Sequence, residues 1–375
     1  MPYSYWIYSR GIPAQPLLMN SNSPHTATAE AVQLLQSLIR IPSFSRQEGE
    51  TARLLENYLQ ESGIKTNRHL NNVWAVNQHF TSGLPTLLLN SHHDTVRPNK
   101  AYTREPFDGA IEEGKLFGLG SNDAGGALVA LLFTFVHFYS RPNLPYNLVF
   151  AATAEEEISG AQGIEALLPL LPPIDCGIVG EPTLLNLAIA ERGLLVLDVT
   201  VQGKAGHAAR EEGENALYKA LPDIEWFRHY QFEKQSDLLG PVKMSVTVIE
   251  TENKAHNVVP PVCNFVVDVR INECYTFEEV LAVIEKHVQG KVQPRSLRMR
   301  SSSIPLDHPL VKAGLVLQRT VYGSPTTSDK ALMPFPTLKM GPGDSARSHS
   351  ANEFIYVHEL EEGIRLYKEL LNLVL

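Results

Sequence analysis

A chain of 375 residues is too long for one ordinary core and points to two domains. Its 43% apolar and 19% charged residues are those of a folded globular protein. A net charge of −9 argues against nucleic acid or an anionic membrane as partner. No apolar run approaches the ~18–20 residues of a membrane span.

Cys176, Cys263 and Cys274 form no CxxC pair and no even framework, so they read as buried apolar residues in a reduced, cytoplasmic setting. Residues 1–26 lack a basic-then-apolar signal pattern and read as a poorly ordered extension without assigned function. From Ala27, apolar residues recur at helical spacing up to Ile41-Pro42. A second helix is expected over Gln47–Ser62, stopped by Gly63. Lys65–Val76 reads as a hairpin turning at Asn71-Asn72. Leu84–Asn90, 146–152 and Gly177–Gly180 follow as buried strands, and their alternation with helices predicts an α/β fold with a mostly parallel sheet.

Near Leu187 the pattern changes. Residues 194–204, 243–250 and 265–270 alternate as strands with one wet face, and helices are expected over Asn215–Tyr230 and Phe277–Val288. With a fourth strand at Ser296–Ser302, the order β-α-β-β-α-β is ferredoxin-like. Residues 187–301 are therefore expected to form an insert in a catalytic domain made of 27–186 and 302–375.

Polar residues with ligand chemistry cluster where strands should end. In an open α/β sheet, ligands bind at the carboxyl ends of strands. His92 and Asp94 share one face after the Leu87 strand, whereas His93 points away. Asp123 follows Gly118-Leu119-Gly120-Ser121-Asn122, either as the N-cap of the next helix or as a carboxylate able to bridge two metals. Glu155-Glu156-Glu157 follow a buried strand, where they are a solvated face or acids that a metal neutralises. Glu181 ends another strand, and His349 follows Gly341-Pro342-Gly343. Two histidines and three acids on strand-end loops suit a two-metal site of nitrogen and oxygen ligands.

The order HxD, GxGxxD, TAxEE, GEPT and GPGxxxxxH resembles the co-catalytic zinc amidohydrolases. These include acetylornithine deacetylase, succinyl-diaminopimelate desuccinylase, aminoacylase and glutamate carboxypeptidase. The resemblance spans roughly residues 27–375, and SHHDTV with GLGSNDAGG most resembles the acetylornithine deacetylase branch. It implies a metallopeptidase-like catalytic domain with an inserted dimerisation domain, and two divalent cations, zinc first, with cobalt or manganese suiting the same ligands. Asp123 would bridge them, His92 and Glu181 would complete one shell, and Glu157 and His349 the other. Glu156 takes the place of the general base and Asp94 that of the acid orienting His92. The resemblance also implies a cis peptide after Asp123. Where many relatives have lysine after the bridging aspartate, this chain has Ala124-Gly125, which bears on substrate rather than on chemistry.

In the insert, the resemblance makes His207 of Gly206-His207-Ala208-Ala209 a contact to the substrate carbonyl from a partner subunit of a homodimer. Asn257 and Arg270 would bind the substrate carboxylate. Their plainer readings are a loop histidine, a turn and a strand-edge charge. The expected reaction is hydrolysis of an N-acyl amino acid, N-acetyl-L-ornithine first. Succinyl-ornithine, acetyl-citrulline, acetyl-lysine or a dipeptide are the nearest alternatives. An inactive metal-stabilised scaffold is a rival from another class, against which the retained Glu156 argues.

Overall fold

The computed structural model describes residues 24–375 apart from Glu211 and Lys254. The reading of the N-terminal extension therefore falls largely outside the described residues. Helix α1 (Pro24–Ile39) already includes positions 24–26, and α2 (Gly49–Glu61) ends before Gly63, which has a φ of +75°. A hairpin of β1 (Thr66–His69) and β2 (Asn72–Val76) follows. Its turn is Leu70-Asn71 rather than Asn71-Asn72, because Asn72 already pairs with His69 and Leu70 takes the left-handed conformation.

Strands β3 (Thr86–His92), β4 (Asn147–Thr153) and β5 (Cys176–Val179) are buried at every residue. Helices cover both faces of such strands, which is why their sequences run apolar without alternation. Together with β6 (Leu187–Glu191) they belong to a nine-stranded sheet. On one face lies α3 (Gly126–Phe138), apolar nearly all round because α1 and the C-terminal helix pack over it in the main core.

The next segment forms a separate four-stranded antiparallel sheet. It comprises β7 (Gly193–Gln202), β8 (Lys243–Thr251), β9 (Val262–Ile271) and β10 (Lys291–Pro294), in the order β8-β9-β7-β10. Helices α4 (Ala216–His229) and α5 (Phe277–His287) complete the ferredoxin-like arrangement around its own core. Two boundaries differ from expectation. Residues 187–191 pair within the large sheet, so the smaller sheet begins at Gly193, just after Arg192. The fourth strand is Lys291–Pro294, since Val292 already packs on the core of the smaller sheet. Ser296–Ser301 is instead the return path, from which Arg298 donates to Glu165 and, at 2.6 Å, to the Ser159 carbonyl.

The chain re-enters the large sheet as β11 (Ser302–Ser303), β12 (Val321–Ser324) and β13 (Thr337–Lys339), and ends in α6 (Val357–Val374). The decisive feature is direction. β4 and β5 run parallel to β3, and β13 runs parallel to β5. Their carboxyl ends therefore open on one edge, and the loops bearing the candidate residues leave from there. Among the described residues, no helix is long and apolar enough to cross a membrane. Cys176 and Cys263 are buried as expected, but Cys274 is only partly covered, near the Gln235 carbonyl.

Candidate metal centre

His92 is the last residue of β3 and is almost wholly buried. Its Nδ1 lies 3.0 Å from the Asp94 carbonyl and 3.5 Å from Asp94 Oδ1. Both are acceptors, so Nδ1 carries the proton and Nε2 presents a lone pair. That Nε2 is buried without a hydrogen-bond partner. It faces Asp123 Oδ1 at 3.3 Å, Glu181 Oε1 at 3.7 Å and Glu156 Oε2 at 3.9 Å. Against the effect of burial, Asp123 and Asp94 hold the His92 imidazole well above its ordinary range, so Nε2 faces these acids either as an N–H or through a cation that takes the proton's place. His93 points the other way, to Thr51 and the Asn71 carbonyl, and is structural.

Asp123 offers its second oxygen to another histidine. Its Oδ2 lies 3.7 Å from His349 Nε2, which is 2.9 Å from Glu157 Oε2. Two ligand sets thus share Asp123: His92 with Glu181, and Glu157 with His349. Within each set the ligand atoms lie within 4.8 Å of one another. The helix α3 starts only at Gly126, so Asp123 does not cap it. The Asp123-Ala124 peptide is cis.

Electrostatics agree with a cationic occupant. Burial, helped by the Glu181 and Asp329 charges, pushes the Glu156 carboxyl well above its ordinary range against the pull of His92. Burial and the Asp123 charge push Glu181 up to about 8, although Lys339 draws it down. Burial also raises Glu157, while its hydrogen bond holds the His349 imidazole at about 9. Buried carboxylates that resist ionising together are neutralised well by divalent cations, so the residues present fit such ions.

The supporting shell is more extensive than the sequence suggested. Beside its contact with His92, the Asp94 carboxylate accepts the backbone N–H groups of Glu156 (3.1 Å) and Glu157 (3.2 Å). It therefore holds the turn carrying both acids, which is flanked by left-handed Glu155 and Ser159. The buried Glu353 carboxylate accepts N–H bonds from Gly120 (3.0 Å), Asn122 (2.8 Å) and Asp123 (2.9 Å), which fixes the loop that presents Asp123. Buried Asp329 accepts from Thr153 at 2.8 Å and Asn90 at 3.2 Å behind His92. The Asn122 side chain exchanges two 3.0 Å bonds with the Asp344 backbone, joining the Asp123 loop to the His349 loop. That approach requires Gly343, with φ +91°, where a Cβ would come within 2.5 Å of Asn122 Oδ1. Glu353 lies just beyond His349, and its only sequence signal was an acid beside a motif. Asp329 and Asp344 carried no signal of their own.

The three insert residues lie elsewhere. His207 and Asn257 are exposed neighbours on a two-stranded ribbon in which His207 pairs with Val258. His207 Nδ1 accepts the Ala209 N–H at 3.1 Å, and among the described residues no hydrogen bond or ion pair joins His207 to the metal-ligand sets. Arg270, on β9, is already engaged. It forms a fork of 2.8 and 3.0 Å bonds to Asp268, leaving Nη1 near Thr327 Oγ1 at 3.5 Å.

Comparison with known proteins identifies the family and the fold. The chain is 28% identical over 277 residues to a succinyl-diaminopimelate desuccinylase from Ruegeria sp. (strain TM1040), covering 70% of each chain. Its fold matches an M20-family metallo-carboxypeptidase from Sulfolobus solfataricus at 19% identity and a TM-score of 0.74, over 92% of this chain and 99% of that one. A dinuclear metal-binding M20 peptidase from Bacillus subtilis matches at 16% identity and a TM-score of 0.68, over 94% and 99% of the chains. The model of Peptidase family M20/M25/M40 matches residues 88–373, so the chain belongs to that family of metal-dependent hydrolases.

Proposed function

We propose that this chain is a deacylase that hydrolyses the N-acyl amide of an N-acyl α-amino acid, with acyl-ornithine as the first substrate to test and arginine biosynthesis as the setting. The observation that carries the reading is the partnerless, buried Nε2 of His92 among acids, with a second histidine-acid set across Asp123. His92, Asp123 and Glu181 would hold one divalent cation, and Asp123, Glu157 and His349 the other. Zinc is the first choice, with cobalt or manganese suiting the same donors. When bound, such ions polarise the scissile carbonyl and acidify water. Glu156 stands beside both sets without belonging to either, and burial makes its carboxylate a better base. It takes the proton of the attacking water and returns it to the departing amine. Asp94 keeps Glu156 in place through the backbone, and His207 of a second subunit would stabilise the oxyanion.

The acetyl group is the first choice of acyl group on resemblance, while the desuccinylase relative makes succinyl the second. The test is a screen of N-acyl amino acids with metal-loaded protein, reading free amine. Exhaustive chelation should abolish turnover, and zinc or cobalt should restore it. Full activity in protein shown by elemental analysis to be metal-free would overturn the reading.

A further inference from the structure

Arg192 stands just beyond β6, where the chain leaves the large sheet for the smaller one. It is 7% exposed, yet among the described residues no carboxylate lies within ion-pair reach of its guanidinium. Among the described residues its one hydrogen-bond partner is the Leu239 carbonyl. The acids nearby are committed to others: Glu191 to Ser328 and Lys339, and Asp268 to Arg270. A buried cation without a counter-charge is costly, on the order of several kcal/mol. Burial and the neighbouring Arg270 charge both disfavour its charged form.

The location links this surplus charge to the metal centre. Thr327 Oγ1 donates to the Arg192 carbonyl at 2.8 Å and stands 3.5 Å from Arg270 Nη1. Two residues on, Asp329 is bonded to Asn90 and Thr153 at the ends of the strands that carry His92 and Glu155–Glu157. Two residues span at most about 7 Å, so one short loop joins the Arg192 backbone to the acid packed behind His92. A planar guanidinium is suited to a carboxylate.

We infer that Arg192, rather than the Asp268-bound Arg270 alone, receives a carboxylate of the substrate. The inference rests on the deacylase reading for what that substrate is. Two carboxylates share this chemistry, the α-carboxylate of the amino acid and the terminal carboxylate of a dicarboxylic acyl group.

The test measures kcat/KM of metal-loaded wild type, R192M and R192K on N-acetyl-ornithine, N-acetyl-ornithinamide and N-succinyl-ornithinamide. The neutral-acyl amide is the common reference, so the active fraction of each variant cancels. R192M should lose at least tenfold more on one carboxylate-bearing substrate than on the reference, and which one names the carboxylate. R192K, which keeps the charge without the fork, should fall between. Equal losses on all three would make Arg192 a staple for the Leu239 turn and overturn the inference. Calorimetric titration with succinate separates the two readings. Should wild type turn over none of the three, the deacylase reading fails, yet succinate should still bind at least tenfold more weakly to R192M. Absence of succinate binding by wild type, or binding unchanged in R192M, would overturn the inference by itself.

Discussion

At the scale of single residues, His92 and Glu156 divide two tasks between similar positions. His92 has its proton fixed at Nδ1 by Asp94, which leaves a lone pair directed at the acids. Glu156 lies 3.9 Å from that nitrogen but completes neither ligand set. Removing its charge without altering its shape should therefore spare the metals. Glu156→Gln is expected to retain both ions by elemental analysis and to lower kcat by at least ~10²-fold, the scale of a lost general base. Loss of metal instead would mean that Glu156 and Glu157 exchange roles. The clustering of these candidate residues was legible because each follows a buried strand or a glycine-rich turn within a few positions. Arg192 was not legible, since an isolated arginine shows its missing counter-charge only once the chain is folded.

At the scale of elements, loops are set as much by what lies behind them as by the strands in front. The Gly118–Asp123 loop hangs on three N–H bonds to Glu353, whose carboxyl burial and the Asp123 charge push up to about 8. Glu353→Ala leaves two buried donors and one part-buried donor without an acceptor beside the candidate bridging position. Its metal affinity should fall by roughly 10–100-fold, as for other groups that support metal ligands, measured by competition with a coloured chelator. Unchanged affinity with a lowered Tm would make Glu353 a brace for the fold alone. The same paired logic explains which elements were legible. Fully apolar strands and amphipathic helices carry their own signal, whereas the Leu70-Asn71 turn and the Lys291–Pro294 strand depended on register. A one-residue slip exchanges faces, and the fourth strand, expected at Ser296–Ser302, lies at Lys291–Pro294 because Val292 meets the core of the smaller sheet.

At the scale of the molecule, the smaller sheet has an edge that lacks a partner among the described residues. β8 is exposed along most of its length, with Val248 and Ile249 more than two-fifths exposed, and Tyr218 and Leu221 stand out on the adjoining α4. An apolar strand edge of this kind pairs readily with another strand, and a two-fold copy is the commonest partner. Val248→Lys places a charge on that edge and should yield a monomer by sedimentation while leaving the far-UV spectrum intact. A dimer unaffected by this change would place the interface elsewhere.

If that dimer forms, His207 becomes informative because, among the described residues, no hydrogen bond or ion pair joins it to the candidate metal ligands of its own chain. A histidine that serves the neighbouring site makes two defects separable. In a heterodimer of His207→Ala and Glu156→Gln chains, the second chain lends an intact His207 to the first chain's intact Glu156. One of the two sites is then whole. Co-refolding two nearly inactive proteins should therefore recover activity approaching that of one site per dimer, measured on heterodimer purified by two different tags. If His207 instead serves its own chain, each site keeps one defect and the purified heterodimer stays as inactive as its parents. That result would exclude the shared site while leaving the metal ligands and Glu156 as they are.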